Sequence, residues 1–227
     1  MTKFLKAGLF LSLLTFLFVS DAFARAGGGG GHGGGGIAYI VLLPYLIVHS
    51  IIVTHLVIKK HKQCQDLMDK LKKINGIWDG DAIQGRIEEA YFKVQDAWTN
   101  RDQTIAQSYM SKRLFAKHKI QTDQMIADHK RNVLDRINLT EAKIIEVADY
   151  KDESKDKIWV YIKQSMIDYM IDDETKNVVS GDSSKPEVSA ELWKFVRENK
   201  EWVLDEIDQN ATIKEMNSLI NSSEEIQ

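Results

Sequence analysis

The sequence predicts an α+β fold in which helices lie on one face of a curved antiparallel sheet, preceded by one transmembrane helix. Three observations predict it. Ile37 to Ile58 is an apolar run without a full charge, Ile83 to Trp98 carries apolar residues at helical spacing, and β-branched and aromatic residues alternate from Lys157 onward.

The N-terminal element reads as a secretory signal, residues 1–24. Lys3 and Lys6 precede the apolar run Ala7 to Val19, and Ala22-Phe23-Ala24 places small residues where a signal peptidase cuts. That run is too short to cross a hydrocarbon core of about 30 Å, which needs about 20 helical residues. Residues 25–36 form a glycine-rich tether with nothing to bury and much chain entropy to lose. His32 within it is a lone histidine and makes no metal site.

Residues 37–58 are long enough to span a bilayer as a helix, with Pro44 as a kink point and Tyr39 and Tyr45 suited to the interface. His49 and His55 lie about 120° apart around the helix, so neutral imidazoles fit better than a shared proton or haem site. Lys59-Lys60-His61-Lys62 follows directly, and positive charge stays inside. The expectation is a single-pass protein of the cell inner (plasma) membrane with its C-terminal domain cytoplasmic. Residues 59–80 are expected to be a juxtamembrane linker, including a short amphipathic helix from Gln63 to Ile77 that acts as a spacer.

The soluble domain is expected at 81–208. Asp81 with Gln84 resembles a capping box, and Ile83, Ile87, Tyr91, Val94 and Trp98 make one continuous helical stripe. Asp102 to Gln107 and Lys112 to Lys119 read as short helices, the second capped by Ser111, and Thr122 is expected to cap a longer helix from Asp123 to Ile137. Strands are predicted at 143–147, 157–171, 188–197 and 201–207, with a turn-rich segment at 172–186 and a tight connection at Glu198-Asn199-Lys200. Residues 209–227 read as a polar tail.

Composition narrows the function classes. A net charge of -3 leaves no basic footprint for nucleic acid. The single cysteine, Cys64, excludes an intramolecular disulfide framework and suits a reducing compartment.

Several blocks carry a family resemblance: Trp98 with Asn100-Arg101-Asp102, then Tyr109-Met110-Ser111, Ser165-Met166-Ile167-Asp168-Tyr169, and Glu191 to Arg197 followed by Trp202 to Ile207. In this order they resemble the Tim-forty-four-like (Tim44-like) domain family, named for a subunit of the mitochondrial inner-membrane import translocase and found also in bacterial membrane proteins. The resemblance implies a cone-like fold similar to nuclear transport factor two, with a sheet curled around an apolar cavity. The region by which the mitochondrial protein engages its chaperone has no counterpart here.

No HExxH, paired CxxC, P-loop or GxSxG occurs. Asp168-Tyr169 with His118 or His129 would be a cone-fold catalytic set, but neighbours on a strand face opposite ways. Asp172, Asp173 and Glu174 lack the spacing of a calcium loop and read as a solvated turn. Trp193 and Phe195, then Trp159, Tyr161 and Trp202, are the candidate ligand-binding residues, weighed against a plain core role. Lys59, Lys60, Lys62, Lys112 and Arg113 are the candidate lipid-headgroup contacts, weighed against a solvated face.

The expected function is a membrane-anchored, non-enzymatic binding or scaffold module with no cofactor, in membrane-protein transport or assembly. Its partners would be membrane lipid and an unidentified membrane or membrane-associated protein, with a homo-oligomer possible. The alternative is a cone-fold enzyme or sensor of a small hydrophobic ligand or lipid.

Overall fold

The structure is a computed structural model that describes residues 35–224, with side chains from Leu42. The predicted signal and nearly all of the glycine tether lie outside the described residues.

Helix α1, Gly35–Leu71, contains the apolar run, and the stretch Leu42–Leu71 within it is long and apolar enough to cross a membrane. Its outer apolar residues stay exposed, Ile47 and Ile51 among them. The helix does not stop at a linker after the lysines. Cys64, Met68 and Leu71 are buried in the main core of the domain, so the expected spacer is a structural helix. The physical reason is their spacing of four and three, which puts them on one face.

A 3-10 turn at Gly76–Trp78 leads to α2, Gly80–Asn100. Its N-cap is Asp79, whose carboxylate accepts from the backbone N–H of Asp81 and Ala82, so the cap lies two residues before the expected Asp81. The predicted stripe holds: Ile83, Ile87, Tyr91 and Val94 are buried, and Trp98 closes it half-buried. Arg101 ends the helix in the left-handed region at φ 55°. A 3-10 segment, Gln103–Tyr109, precedes α3, Lys112–Ala127, capped by Ser111 as expected.

The predicted helix from Asp123 to Ile137 is not formed. Thr122 lies inside α3, where its hydroxyl donates to the His118 carbonyl, and α3 ends at Ala127. His129 adopts φ 52° and strand β1, Lys130–Asp149, begins at the next residue. Beyond it come β2, Lys157–Asp172; β3, Val178–Gly181; β4, Glu187–Glu198; β5, Glu201–Asp208; the short helix α4, Ile213–Ser218; and β6, Ser222–Ser223.

The six-stranded sheet runs β5-β4-β2-β1-β6, with β3 paired to the far end of β2. All pairings are antiparallel except β1 with β6. Register shifts along β1 at Asp135/Asn138, Leu139/Glu141 and Ile144/Glu146 bend the strand and curl the sheet into a half-barrel. The β4–β5 turn sets Asn199 and Lys200 at φ 50° and 69°, the left-handed pair of a tight hairpin.

Each face of the sheet has its own core. One face carries α2, α3 and the end of α1, with Trp78, Ile87, Tyr91, Val160, Trp193, Phe195 and Leu204 packed together. The other face gathers Ile145, Tyr161 and Leu192 against Val57 of α1 and Met216 of α4. Within the segment read as a polar tail, α4 and β6 are formed, and Met216 is wholly buried.

Candidate functional site

Strand alternation separates the predicted ligand-binding aromatics. Trp193, Phe195 and Trp202 point into the main core, where Trp193 and Phe195 are fully buried. Trp159 and Tyr161 lie on the opposite face, in or against the second core. The five do not share one cavity. Trp193 packs on Tyr91 with ring centroids 5.4 Å apart, and its indole N–H donates to Glu191 at 2.8 Å. Trp202 packs edge-on against Trp78 at 5.1 Å. On the other face, the Lys194 ammonium lies 5.7 Å from the Trp159 ring.

The proposed catalytic set is dispersed too. Trp98 donates to Asn132, which donates to Asp168 at 2.6 Å, so Asp168 belongs to a polar chain between α2 and the sheet. His118 is buried, edge-on to the Trp98 ring at 5.2 Å. Burial, helped by Lys117, lowers its pKa to about 4. His129 is exposed at the α3–β1 junction, 3.6 Å from Glu174. Asp172 works within its own turn, and Asp173 ties that turn to the end of α2. Asp172 accepts from the N–H of Glu174 and Thr175, and Asp173 pairs with Arg101 at 2.5 Å. Among the described residues no cluster of His, Cys, Asp and Glu is arranged to hold a metal ion.

The matched motifs instead build the helix–sheet joint. Asp205 on β5 accepts from Ser111 at 2.8 Å and from Arg113 at 2.9 Å, and pairs with Lys194 at 3.1 Å. Burial pushes its carboxyl up, but the bonds from Arg113, Ser111 and Lys194 outweigh this and hold it at about 2. Arg113, expected to meet lipid, is thus engaged with β5. Asp156, almost fully buried, accepts from Arg197 at 3.0 Å and from the Tyr150 N–H at 2.9 Å.

Of the predicted headgroup lysines, Lys59, Lys62 and Lys112 are exposed. Lys60 is half-buried and donates to the Leu219 carbonyl at 2.5 Å. Around it lies a cleft of about 410 Å³ lined by Lys60, Gln63, Ile145, Asn217, Leu219, Ile220 and Asn221. The C-terminal segment forms one wall. Asn221 accepts from the Val147 N–H at 2.9 Å and from the Cys64 thiol at 3.3 Å, bridging β1 and α1. Burial pushes that thiol up to about 12, so Cys64 is a packing residue. These tail residues escaped the sequence reading, although Ile213, Met216 and Leu219 recur at a helical spacing of three.

An apolar helix long enough to cross a membrane, running into a helix-covered antiparallel half-barrel, defines an α+β domain on a candidate membrane anchor. The sequence profile of the Tim44-like domain matches residues 65–209, and the chain belongs to that family. Among solved structures, the intermembrane space region of the chloroplast protein ARC6 is similar over 57% of this chain and 95% of that one. The identity there is 9% and the TM-score 0.41. No curated protein matches the chain.

Proposed function

We propose that the chain is a membrane-anchored, non-enzymatic scaffold that holds a protein partner at the inner surface of the cell membrane, in membrane-protein transport or assembly. The observation that carries this reading is the double use of α1. Its N-terminal part has the length and composition of a span, and Cys64, Met68 and Leu71 at its other end are core residues of the Tim44-like domain. A helix used in both ways suits a domain whose working place is a bilayer surface. The anchored domain is read as single-pass and cytoplasmic from Lys59-Lys60-His61-Lys62. The exposed Lys59 and Lys62 would each add about 1 kcal/mol of attraction to an anionic leaflet.

Crosslinking of the full chain in intact membranes, followed by identification of the products, tests the scaffold reading. A recurrent heterologous protein is the expected product, whereas self-crosslinks alone would overturn it. Orientation is checked separately: protease added to intact spheroplasts should leave the C-terminal domain whole.

A further inference from the structure

A second cleft, of about 150 Å³, lies where the end of α2 and the 3-10 segment Gln103–Tyr109 meet α3. Arg101 and Gln103 line one side, and Phe115, Lys119 and Thr122 the other. Most polar groups around it are already engaged. The Thr122 hydroxyl donates to the His118 carbonyl at 3.0 Å, the Thr104 hydroxyl donates to Asp102 at 2.6 Å, and Lys119 pairs with Asp123 at 2.8 Å.

Two buried atoms are not engaged. The Arg101 Nε–H has no hydrogen-bond partner among the described residues, although Nη1 of the same guanidinium donates to the Lys130 carbonyl and to Asp173. Oε1 of Gln103 is the other. That residue is only 3% exposed, and its amide nitrogen is committed to the Ala97 carbonyl at 3.2 Å, which fixes the oxygen as the atom left over. A donor and an acceptor are thus left open on two residues of one cleft, and each costs free energy until it is met.

Charge and size narrow the occupant. Arg101 and Lys119 are balanced by Asp102 and Asp123, so a net charge on the ligand gains nothing overall. A carboxylate would set another lone pair against Gln103 Oε1, and an ammonium would set a like charge against Arg101. The volume matches roughly five waters at about 30 Å³ each, the bulk of a polar group on a short carbon stem. We propose that this cleft binds a neutral primary carboxamide. Its carbonyl oxygen accepts from the Arg101 Nε–H, its NH2 donates to Gln103 Oε1, and its stem lies against the Phe115 ring. Two sources supply that group: a small free amide, and the side chain of a glutamine or asparagine on a partner protein. The site is independent of the anchoring and scaffold reading above.

The test is a titration of the full chain, labelled with nitrogen-15 in a neutral detergent, with propionamide. The Arg101 Nε–H and Gln103 NH2 resonances are followed, each identified by its loss in a variant. Both should move together and saturate in the millimolar range, the scale expected of so small a ligand. Gln103→Met and, independently, Arg101→Lys should each weaken binding by about tenfold, the scale of one charge-assisted hydrogen bond. Lys117→Gln, on a lysine outside the cleft, should leave it unchanged. Circular dichroism certifies the fold of each variant, and the comparison of probes on the parent protein stands even where a variant fails to fold. Equal shifts with propionate or propylammonium, equal loss in Lys117→Gln, or no saturable shift up to about 100 mM propionamide would each overturn the site, the last leaving the cleft to water alone. N-acetyl-L-glutamine N-methylamide separates the sources. Tighter binding than propionamide assigns the cleft to a protein side chain, and weaker binding assigns it to a free amide.

Discussion

His118 illustrates how one residue sets a condition on the whole domain. It sits on α3 with its ring against Trp98, and its Nδ1 has no hydrogen-bond partner among the described residues. Burial lowers its pKa from the ordinary 6.5 to about 4, so the folded state holds the imidazole neutral. Protonation therefore favours the unfolded chain. Stability should be full above pH 6.5 and decline as the pH falls towards 4, with a slope of at most ~1.4 kcal/mol per pH unit from this group. Urea midpoints across that range measure it, and His118→Gln should flatten the decline. At this scale the sequence was a partial guide. It marked Trp193, Phe195 and His118 as unusual residues, but which face a side chain occupies depends on strand register. Asp205 stood within a matched block, but its role was hidden, since two of its three partners, Ser111 and Arg113, are 94 and 92 positions away in sequence.

Among the elements, α2 was the most legible, because its stripe is unbroken and packs on the main core. The start of β1 was the least. Its first half is only half-buried, so strict alternation is missing, and Ile126, Val133 and Ile137 mimic a helical face. What decided the outcome was the left-handed backbone at His129, a signal that no apolar pattern carries. The end of α1 was read as a spacer, and here the two readings differ in measurable terms. Leu71 is fully buried, so Leu71→Ala should cost about 2–5 kcal/mol in chemical unfolding, where a linker position would change little. A second test belongs to the β2–β3 hairpin. Gly181 has φ +83°, and a Cβ there would lie 2.6 Å from the Asp168 carbonyl oxygen. Gly181→Ala should cost about 1–3 kcal/mol locally and speed amide exchange in β3 well before the main core responds.

For the molecule as a whole, the C-terminal segment completes the structure. It buries Met216 over Ile145, Tyr161 and Leu192, donates the Ile220 N–H to Glu146, and pairs β6 with the end of β1. A chain ending at Asp208 keeps nearly all of the family-matched sequence and loses that cover. It should be less stable by about 3 kcal/mol or more, visible as faster pulse proteolysis in detergent, because an apolar face once covered is returned to solvent. Equal resistance of the two chains would mean that the segment is dispensable. Fold class and membrane helix were legible from pattern alone, and this closing segment was not, since its contacts are few per residue and join the two ends of the domain.

The same segment bears on the order in which the protein can be made. The edge of β1 is met by α1, where His61 lies 3.0 Å from the Ile144 carbonyl oxygen, and by Asn221, which accepts from Val147. His61 precedes every strand and Asn221 follows β5, so on a growing chain the strand edge stays half-covered until residues beyond the family-matched stretch have emerged. An uncovered strand edge beside an apolar helix is an invitation to wrong pairing. Final closure of this domain therefore waits for the C-terminal segment, and any helper that shields the nascent chain is needed until Asn221 can reach Val147.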